Sequence, residues 1–269
     1  MLIDIFAHIN YRNKNAATAE KIRIDKNNFK QMKLRELITI VCGLTLALSS
    51  CKKDNNTTSS VVKDVDGNVY KTVTIGTQTW MVENLKTTKY NDSTPIPIVT
   101  DGLDWKLSSA AYFNYNNIAS NAITYGRLYN WYAVNTGKLA PKGWHVPSIA
   151  EWDTLQTYLI ANGYNYDGST TGNYIAKSMA SKTGWDSSTS AGCIGNNPNT
   201  NNKSGFTALP GGYRYYDGSF YHVGFESYWW STTESYSNAY FMCLSNHTSS
   251  LYYHTDFKRS GFSVRCIKD

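Results

Sequence analysis

The chain has 269 residues, of which 41% are hydrophobic and 14% aromatic, enough apolar material for a sizeable buried core. Its formal net charge is +6, but residues 1–50 hold 8 Lys and Arg against 4 Asp and Glu, which leaves 18 against 16 from Cys51 onward. The basic excess belongs to the N-terminal segment, so we expect no nucleic-acid partner.

An export signal is predicted at residues 32–50. Lys33 and Arg35 give it a positive start, residues 37–48 form an apolar stretch, and Leu48-Ser49-Ser50-Cys51 closes it. Twelve residues of helix cover roughly 18 Å, short of the ~30 Å hydrocarbon core of a bilayer. We therefore expect a signal peptide and no permanent membrane span.

The tetrapeptide that ends at Cys51 resembles the lipobox of bacterial lipoproteins, which implies that this cysteine is lipidated and becomes the new amino terminus. An ordinary secretory signal with a chance cysteine is the alternative. Residues 1–31 are polar and carry no packing pattern, and we interpret them as a non-native extension from an overcalled start codon. Residues 51–62 form the lipidated cysteine and a polar, flexible tether, and residues 63–269 form the domain.

The domain is predicted to open with short strands. Asp66-Gly67-Asn68 is a turn signal, a second turn follows near Gly76, and the residues around both favour β structure. Residues 91–104, with two prolines and several Asp and Asn, indicate a long surface loop.

Two helices are predicted. Ser148 and Glu151 have the spacing of a capping box, and the apolar residues that follow share one face of a helix that runs to about Ile160. That face consists of Trp152, Leu155 and Leu159. A shorter helix is predicted at residues 127–134, with Leu128, Trp131 and Tyr132 inward and an end at Asn135 and Gly137.

The C-terminal part is predicted to be strands, beginning with a hairpin around Asp217-Gly218. A two-residue turn places Tyr213, Tyr215, Phe220 and His222 on one face, which we expect to be core. It places Arg214, Tyr216 and Tyr221, together with Ser219, on the other face, which we expect to be exposed.

Further on, residues 240–244 have the pattern of a central strand, and residues 262–266 alternate as in a half-buried strand. Alternation should send Trp229 and Trp230 to opposite faces, one of them outward. Two helices, many short antiparallel strands and long loops indicate an α+β domain.

The other reactive residues give no recognisable site. Cys193, Cys243 and Cys266 permit one disulfide and one free thiol, and the sequence leaves the pairing open. The histidines and cysteines have no zinc-ligand spacing, and Ser231 lacks the glycines of a nucleophile elbow. We therefore expect no metal, no cofactor and no catalytic residues.

Seven motifs, in order over residues 63–269, together resemble the Fibrobacter succinogenes major paralogous domain family. That resemblance implies an exported, often lipid-anchored protein of unassigned biochemical function. The motifs are Asp66-Gly67-Asn68-Val69-Tyr70, Gln78-Thr79-Trp80-Met81-Val82-Glu83-Asn84-Leu85, Gly126-Arg127-Leu128-Tyr129-Asn130-Trp131, Gly143-Trp144-His145-Val146-Pro147-Ser148, Gly205-Phe206-Thr207-Ala208-Leu209-Pro210-Gly211-Gly212-Tyr213-Arg214, Trp229-Trp230-Ser231 and Gly261-Phe262-Ser263-Val264-Arg265-Cys266.

A more distant resemblance joins the fourth motif, Glu151-Trp152 and the last motif to formylglycine-generating enzymes. It implies a C-type-lectin-like fold, with two helices on small twisted antiparallel sheets and long loops. That enzyme family has two closely spaced copper-binding cysteines, whereas Cys243 and Cys266 lie 23 residues apart. The calcium-binding tripeptides of sugar-binding lectins are also missing from the sequence.

These observations favour a non-catalytic binding or adhesion module for cell-surface glycan or protein, held at the envelope by its lipid. We expect the lipid anchor to lie in the outer membrane and the domain at the cell surface. Most of the 21 Tyr and 8 Trp should form the core. The candidate ligand-binding residues are Arg214, Tyr216, Tyr221, Trp229 and Trp230. A structural envelope protein without a soluble ligand is the alternative, and an enzyme related to formylglycine-generating enzymes is a weaker one.

Lipidation can be tested directly. Acyl chains contribute about 0.8 kcal/mol per buried CH₂, so the mature protein should fractionate with membranes, and Cys51→Ala should stop processing at this site. Mass spectrometry of the mature amino terminus is the measurement. A terminus elsewhere, or an unmodified Cys51, would contradict the lipoprotein prediction.

Overall fold

The computed structural model describes residues 61–100 and 108–269. Ser59–Asp269 cluster as one compact unit. The predicted extension, signal peptide and Cys51, with nearly all of the tether, lie outside the described residues, and the predicted 91–104 loop is described as far as Thr100.

The N-terminal strands form two successive hairpins. β1 (Val62–Lys63) pairs with β2 (Val69–Tyr70), and β3 (Thr72–Ile75) pairs with β4 (Gln78–Met81). Gly76 turns the second hairpin with a φ of +63°, and a Cβ there would lie 2.7 Å from the ring of Tyr158. The predicted opening hairpin is therefore confirmed, with glycine required at its second turn.

The middle of the chain alternates short strands and single-turn helices. These elements are β5 (Tyr112–Phe113), α1 (Asn121–Tyr125), β6 (Leu128–Tyr129), α2 (Trp131–Val134) and β7 (Trp144–His145).

The helix predicted at residues 127–134 is wrong in its first half. Asn130 caps α2 by accepting a hydrogen bond from the Ala133 N–H, so the chain before it is extended. There Tyr129 pairs with Tyr112 and bridges Phe262. Pairing with a distant segment overrides the local helical pattern.

The longer predicted helix is confirmed as α3 (Ile149–Ala161). Both halves of its capping box form between Ser148 and Glu151, and its inward face, Trp152, Leu155 and Leu159, is buried. The next helix, α4, is the single turn Ala176–Met179. Among the described residues α3 is the one helix of seven or more residues, so the prediction of two main helices is wrong.

The C-terminal strands build the largest sheet. They are β8 (Gly211–Arg214), β9 (Phe220–Val223), β10 (Glu226–Ser235), β11 (Asn238–Ser245) and β12 (Leu251–Phe257). The order is β12-β11-β10-β8-β9, so the predicted central strand, β11, is flanked on both sides. The last strand, β13 (Ile267–Lys268), joins a second sheet of order β3-β4-β13-β7. The predicted α+β class is confirmed. The fold consists mostly of strands, which form several small sheets and a curled half-barrel.

Hydrophobic clusters cover both faces of β10. Trp229 packs into a cluster that includes Trp152 of α3, and Trp230 packs into another that includes Phe262. Both tryptophan side chains have no exposed surface. The largest sheet is therefore an interior layer at β10.

The segment 262–266 is buried on both sides, and the prediction of a half-buried strand is wrong. Ser263 forms a β-bridge with Trp229. The Arg265 guanidinium lies 4.2 Å from the centroid of the Phe206 ring. It donates hydrogen bonds to the Phe206 carbonyl and to the side-chain oxygen of Asn84. Burial lowers the pKa of Arg265 to about 9, which leaves the guanidinium charged at neutral pH. Ser263 and Arg265, which a half-buried strand would have exposed, therefore lie inside the fold, and Arg265 has its hydrogen-bond partners there.

The three domain cysteines, Cys193, Cys243 and Cys266, are buried and free, so none of the three possible disulfides forms among them. Within residues 61–100 and 108–269, no helix is long and apolar enough to cross a membrane.

The α3 cap and the α3 core contact should differ in strength. Ser148→Ala removes one hydrogen bond to a backbone N–H and should lower the free energy of unfolding by about 1 kcal/mol. Trp152→Ala removes a ring 4.7 Å from Trp80 and 5.9 Å from both Phe206 and Trp229, and should cost about 3–5 kcal/mol. Urea denaturation measures both, with exposed Thr157→Ala as a control that should cost nothing. Equal, negligible losses for Ser148→Ala and Trp152→Ala would mean that α3 is not packed in this way.

His145 links the C-terminal residue to α3. Its Nε2 lies 2.6 Å from Glu151 Oε1, and its Nδ1 lies 2.7 Å from Asp269 Oδ1. Burial alone would lower the pKa of His145, but the hydrogen bonds to Asp269 and Glu151 raise it above 6.5. Burial alone would raise the pKa of Glu151, but hydrogen bonds from Ser148 and His145 lower it below 4.5.

These opposite shifts predict a pH window for stability. The contribution of His145 should be complete below about pH 6.5 and lost as pH rises through its raised pKa. That of Glu151 should be complete above about pH 4.5 and lost as pH falls through its lowered pKa. The destabilisation caused by His145→Gln should therefore be larger at about pH 5.5 than at about pH 8.5, measured by urea denaturation, whereas exposed Thr157→Ala, which removes no titratable group, should show no such difference. A His145→Gln penalty that is equal at both pH values would contradict the ion-pair assignment.

Candidate functional site

The hairpin between β8 and β9 has a three-residue turn, Tyr216-Asp217-Gly218. The Tyr215 N–H donates to the Ser219 carbonyl at 2.8 Å, and the Gly218 N–H donates to the Tyr215 carbonyl at 3.0 Å. Gly218 has a φ of +96°, the left-handed conformation that closes such a loop. The predicted two-residue turn is wrong by one residue.

That one-residue shift changes which residues of the two strands share a face. Tyr213 pairs with Tyr221, and Arg214 pairs with Phe220. Arg214 is 2% exposed, with its guanidinium 4.3 Å from the ring centroid of Phe113. Its predicted exposure is therefore wrong, because its face of the hairpin packs inward.

The prediction that Trp229 or Trp230 faces outward is also wrong. The two rings do lie on opposite faces of β10, as alternation requires, but each face is covered. Trp229 Nε1 donates to Asn84 Oδ1 at 2.9 Å, and Trp230 Nε1 donates to the Tyr129 carbonyl at 2.7 Å. Their polar groups are thus satisfied in the core, away from any ligand at the surface.

The other two candidate residues belong to an aromatic surface that we call the tyrosine face. Tyr213 lies 5.8 Å from Tyr221, and Tyr215 lies 4.2 Å from Tyr216, which in turn lies 4.7 Å from Phe257 of β12, all measured between ring centroids. Tyr221 is 41% exposed and Phe257 is 38% exposed. The face is therefore one patch formed by a hairpin and a separate strand.

Arg259 completes the tyrosine face. Its guanidinium carbon lies 4.7 Å from the Tyr216 ring centroid and 4.8 Å from that of Phe257. The predicted combination of rings and a cation is therefore present, with Arg259 in the place that we predicted for Arg214. Burial raises the pKa of Tyr213 to about 12, so its hydroxyl stays protonated as a hydrogen-bond donor.

A cavity of about 280 Å³ adjoins this face and is lined by His222, Phe225, Glu226 and His247. We call it the His222 pocket. The His222 ring lies 5.6 Å from that of Tyr213, which joins the pocket to the tyrosine face. The Phe225 and His247 rings stack 6.1 Å apart. His222 has a φ of +66°, a conformation uncommon for residues other than glycine and often found at functional sites.

Hydrogen bonds orient the polar groups of the His222 pocket. Glu226 accepts a hydrogen bond from the Tyr228 hydroxyl and bonds to His222 Nδ1. Burial raises the pKa of Tyr228, so this hydroxyl keeps its proton and donates. The pocket therefore presents a fixed carboxylate and two imidazoles, groups that can bond ligand hydroxyls.

The same surroundings do not activate a nucleophile. Cys243 lies behind Tyr228 and bonds to the Tyr252 hydroxyl at 3.1 Å, and burial raises its pKa. The described residues contain no group of three or more His, Cys, Asp or Glu placed to hold a metal ion. The chemistry available at this site is stacking and hydrogen bonding.

Sequence reasoning missed much of this surface. Tyr213 and Tyr215 were assigned to the core face by the two-residue turn, whereas a three-residue turn ending at Gly218 would have placed them on the same face as Tyr221. His222 was also assigned to the core face, and it is exposed at a position with a φ of +66°. Phe257 and Arg259 lie about 40 residues further along and join the patch through the sheet. No local sequence pattern indicates that Phe257 and Arg259 belong to this surface.

Comparison with known proteins gives one match. The model of the Fibrobacter succinogenes major domain matches residues 73–268. No curated protein matches, and no solved structure matches.

Proposed function

The chain belongs to the Fibrobacter succinogenes major domain family, and from that premise we propose that it is an exported lipoprotein carrying a non-catalytic binding or adhesion module. The proposed ligand is a cell-surface glycan, held by the tyrosine face and the His222 pocket. The observation that carries the proposal is the continuity of a stacking surface with a pocket of oriented polar groups.

The chemistry of the two surfaces fits a sugar chain. Aromatic faces attract the C–H groups and the electropositive side of a ligand, and Tyr221 and Phe257 offer such surface to solvent. Glu226 accepts hydrogen bonds, and the imidazoles of His222 and His247 can donate or accept them. At about 280 Å³ the pocket is at the small end of ligand sites, which suits one residue of a longer polymer.

We also propose that the protein has no catalytic activity. Its support is that the cysteine pair of formylglycine-generating enzymes has no counterpart in this sequence, and that burial keeps the thiols of Cys243 and Cys266 protonated. Glu151 has a structural role in the α3 cap.

Lipid anchoring at Cys51 and location in the outer membrane, with the domain at the cell surface, are proposed from the sequence of residues 32–51. A membrane and a surface glycan or envelope protein are accordingly the proposed partners. We also propose a distant relationship to the C-type-lectin-like fold. Its support is the sequence motifs alone, because that fold implies two long helices and the described residues contain one, α3.

Two other functions would give different results in the same assays. A structural envelope protein should bind no polysaccharide or envelope protein in any variant, and its loss should weaken the envelope. An enzyme related to formylglycine-generating enzymes should retain an ordered metal through purification.

The tyrosine face can be tested by retention on cell-wall polysaccharide. Tyr221→Ala combined with Phe257→Ala removes two exposed rings. A stacking contact contributes about 0.5–1.5 kcal/mol, so loss of both should weaken retention about five- to hundredfold. Affinity electrophoresis or pulldown of the mature protein measures the change.

Tyr158→Ala is the matched control, because Tyr158 is 36% exposed on α3, which packs on the opposite side of β10 from the tyrosine face. Its retention should equal that of the unmodified protein, and both variants should keep their circular dichroism spectra. Unchanged retention in the double variant would assign these rings to ordinary surface and remove the support for glycan binding at this site.

A further inference from the structure

A second cavity, of about 330 Å³, lies at the other end of the described chain. Its lining includes the side chains of Lys63, Lys89 and Lys142, and we call it the lysine pocket. Buried residues 139–141 also line it, and the exposed residues Lys63, Lys142 and Ser93 surround them. A cavity with several ammonium groups and few competing carboxylates is suited to an anion.

Two carboxylates belong to this region: Asp64 lines the pocket, and Asp66 pairs with the lining residue Lys89. Asp64 accepts hydrogen bonds from the Asn68 side chain at 2.8 Å and from the Tyr70 hydroxyl at 2.6 Å. Asp66 accepts from the Thr88 hydroxyl at 2.8 Å and pairs with Lys89 at 3.2 Å. Both carboxylates thus stabilise the loop that they belong to.

Two ammonium groups remain without a carboxylate. Within the part of the chain that the structure describes, neither Lys63 nor Lys142 has an ion-pair partner, whereas Lys138 nearby pairs with Asp92 at 2.9 Å. The three lysines, against the carboxylates of Asp64 and Asp66, leave one net positive charge at the pocket, which favours an anion.

The position of the pocket relates it to the tether. Lys63 belongs to β1, the first strand, which directly follows the proposed tether of residues 51–62. A chain of twelve residues can span at most about 40 Å. The lysine pocket would therefore stay close to whatever membrane holds the lipid on Cys51. Lysines near an anionic bilayer are attracted to its surface.

We propose that the lysine pocket binds a phosphate group, bridged by Lys63 and Lys142, with Lys89 and the Ser93 hydroxyl beside it. Phosphate is favoured because ammonium groups bind it as point charges and a serine hydroxyl can donate to its oxygens. A lipid headgroup is one source of such a group, and this source rests on the lipid anchoring proposed above. Free phosphate is the other source.

The first experiment titrates inorganic phosphate into the full chain, as expressed, in neutral detergent and measures affinity by calorimetry. Lys63→Gln combined with Lys142→Gln should lower the affinity at least tenfold. The matched control is Lys182→Gln with Lys268→Gln, which removes two exposed lysines outside the pocket and should change the affinity less than twofold. This arm does not depend on Cys51, so it can succeed where the lipoprotein proposal fails.

The second experiment distinguishes the two sources. Hydrogen exchange is compared for the lipidated protein in vesicles of phosphatidylcholine, whose phosphate is capped by choline, and in vesicles that also contain phosphatidic acid, whose phosphate is terminal. Added protection at residues 61–65 and 139–142 with phosphatidic acid, lost in Lys63→Gln/Lys142→Gln, identifies a lipid headgroup. Phosphate binding in detergent without that protection identifies free phosphate.

Two results would overturn the proposal. One is the absence of both phosphate binding and added protection in the unmodified protein. The other is an equal loss in the pocket variant and in the Lys182→Gln/Lys268→Gln control, which would show that general charge attraction explains the binding.

Discussion

The side-chain amide of Asn84 holds together segments that are far apart in the chain. Its Oδ1 accepts hydrogen bonds from Arg265 Nη2 and Trp229 Nε1, both at 2.9 Å, and its Nδ2 donates to the Tyr125 carbonyl at 2.8 Å. Arg265 is 1% exposed, and a buried charge is costly unless its donors are satisfied. The amide therefore links the hairpins at the N-terminus, β10 and the C-terminal segment at one buried point. Gly126 is part of this constraint, since a Cβ there would lie 2.7 Å from the Asn84 Cβ.

This buried point explains why β10 is an interior strand. With Trp229 fixed toward Asn84 and α3, and Trp230 fixed toward Tyr129 and Phe262, the strand has no free face. Because β10 is covered, the aromatic residues left at the surface are those of the flanking β8-β9 hairpin and of β12. The tyrosine face is thus a consequence of where the core closes.

The two surfaces with ligand chemistry differ in kind and in origin. The tyrosine face and the His222 pocket combine rings with oriented hydrogen-bonding groups and come from the C-terminal strands. The lysine pocket combines positive charges and includes Lys63 of β1, the first described strand. Under the function proposed above, the aromatic site would bind an external polymer and the lysine pocket would meet an anionic surface. That arrangement fits a displayed binding module.

Local interactions determined what the sequence could predict, and long-range packing decided the rest. The α3 helix follows from a capping box and an apolar spacing within residues 148–160, and the first hairpins follow from turns at Gly67 and Gly76, so short segments contain the whole signal. The shorter predicted helix failed because Tyr129 pairs with Tyr112 and Phe262, partners that no local pattern includes.

Alternation correctly placed Trp229 and Trp230 on opposite faces of one strand, but only the tertiary structure decided that both faces are covered. The tertiary structure also decided the burial of Arg265, because its guanidinium depends on the side-chain amide of Asn84, 181 residues away. At the Asp217-Gly218 hairpin the turn itself was evident from the sequence, but its length was not. Since a strand repeats every two residues, one extra turn residue put Tyr221 opposite Tyr213 and Phe220 opposite Arg214, and packing of Arg214 on Phe113 decided which of these faces became the surface.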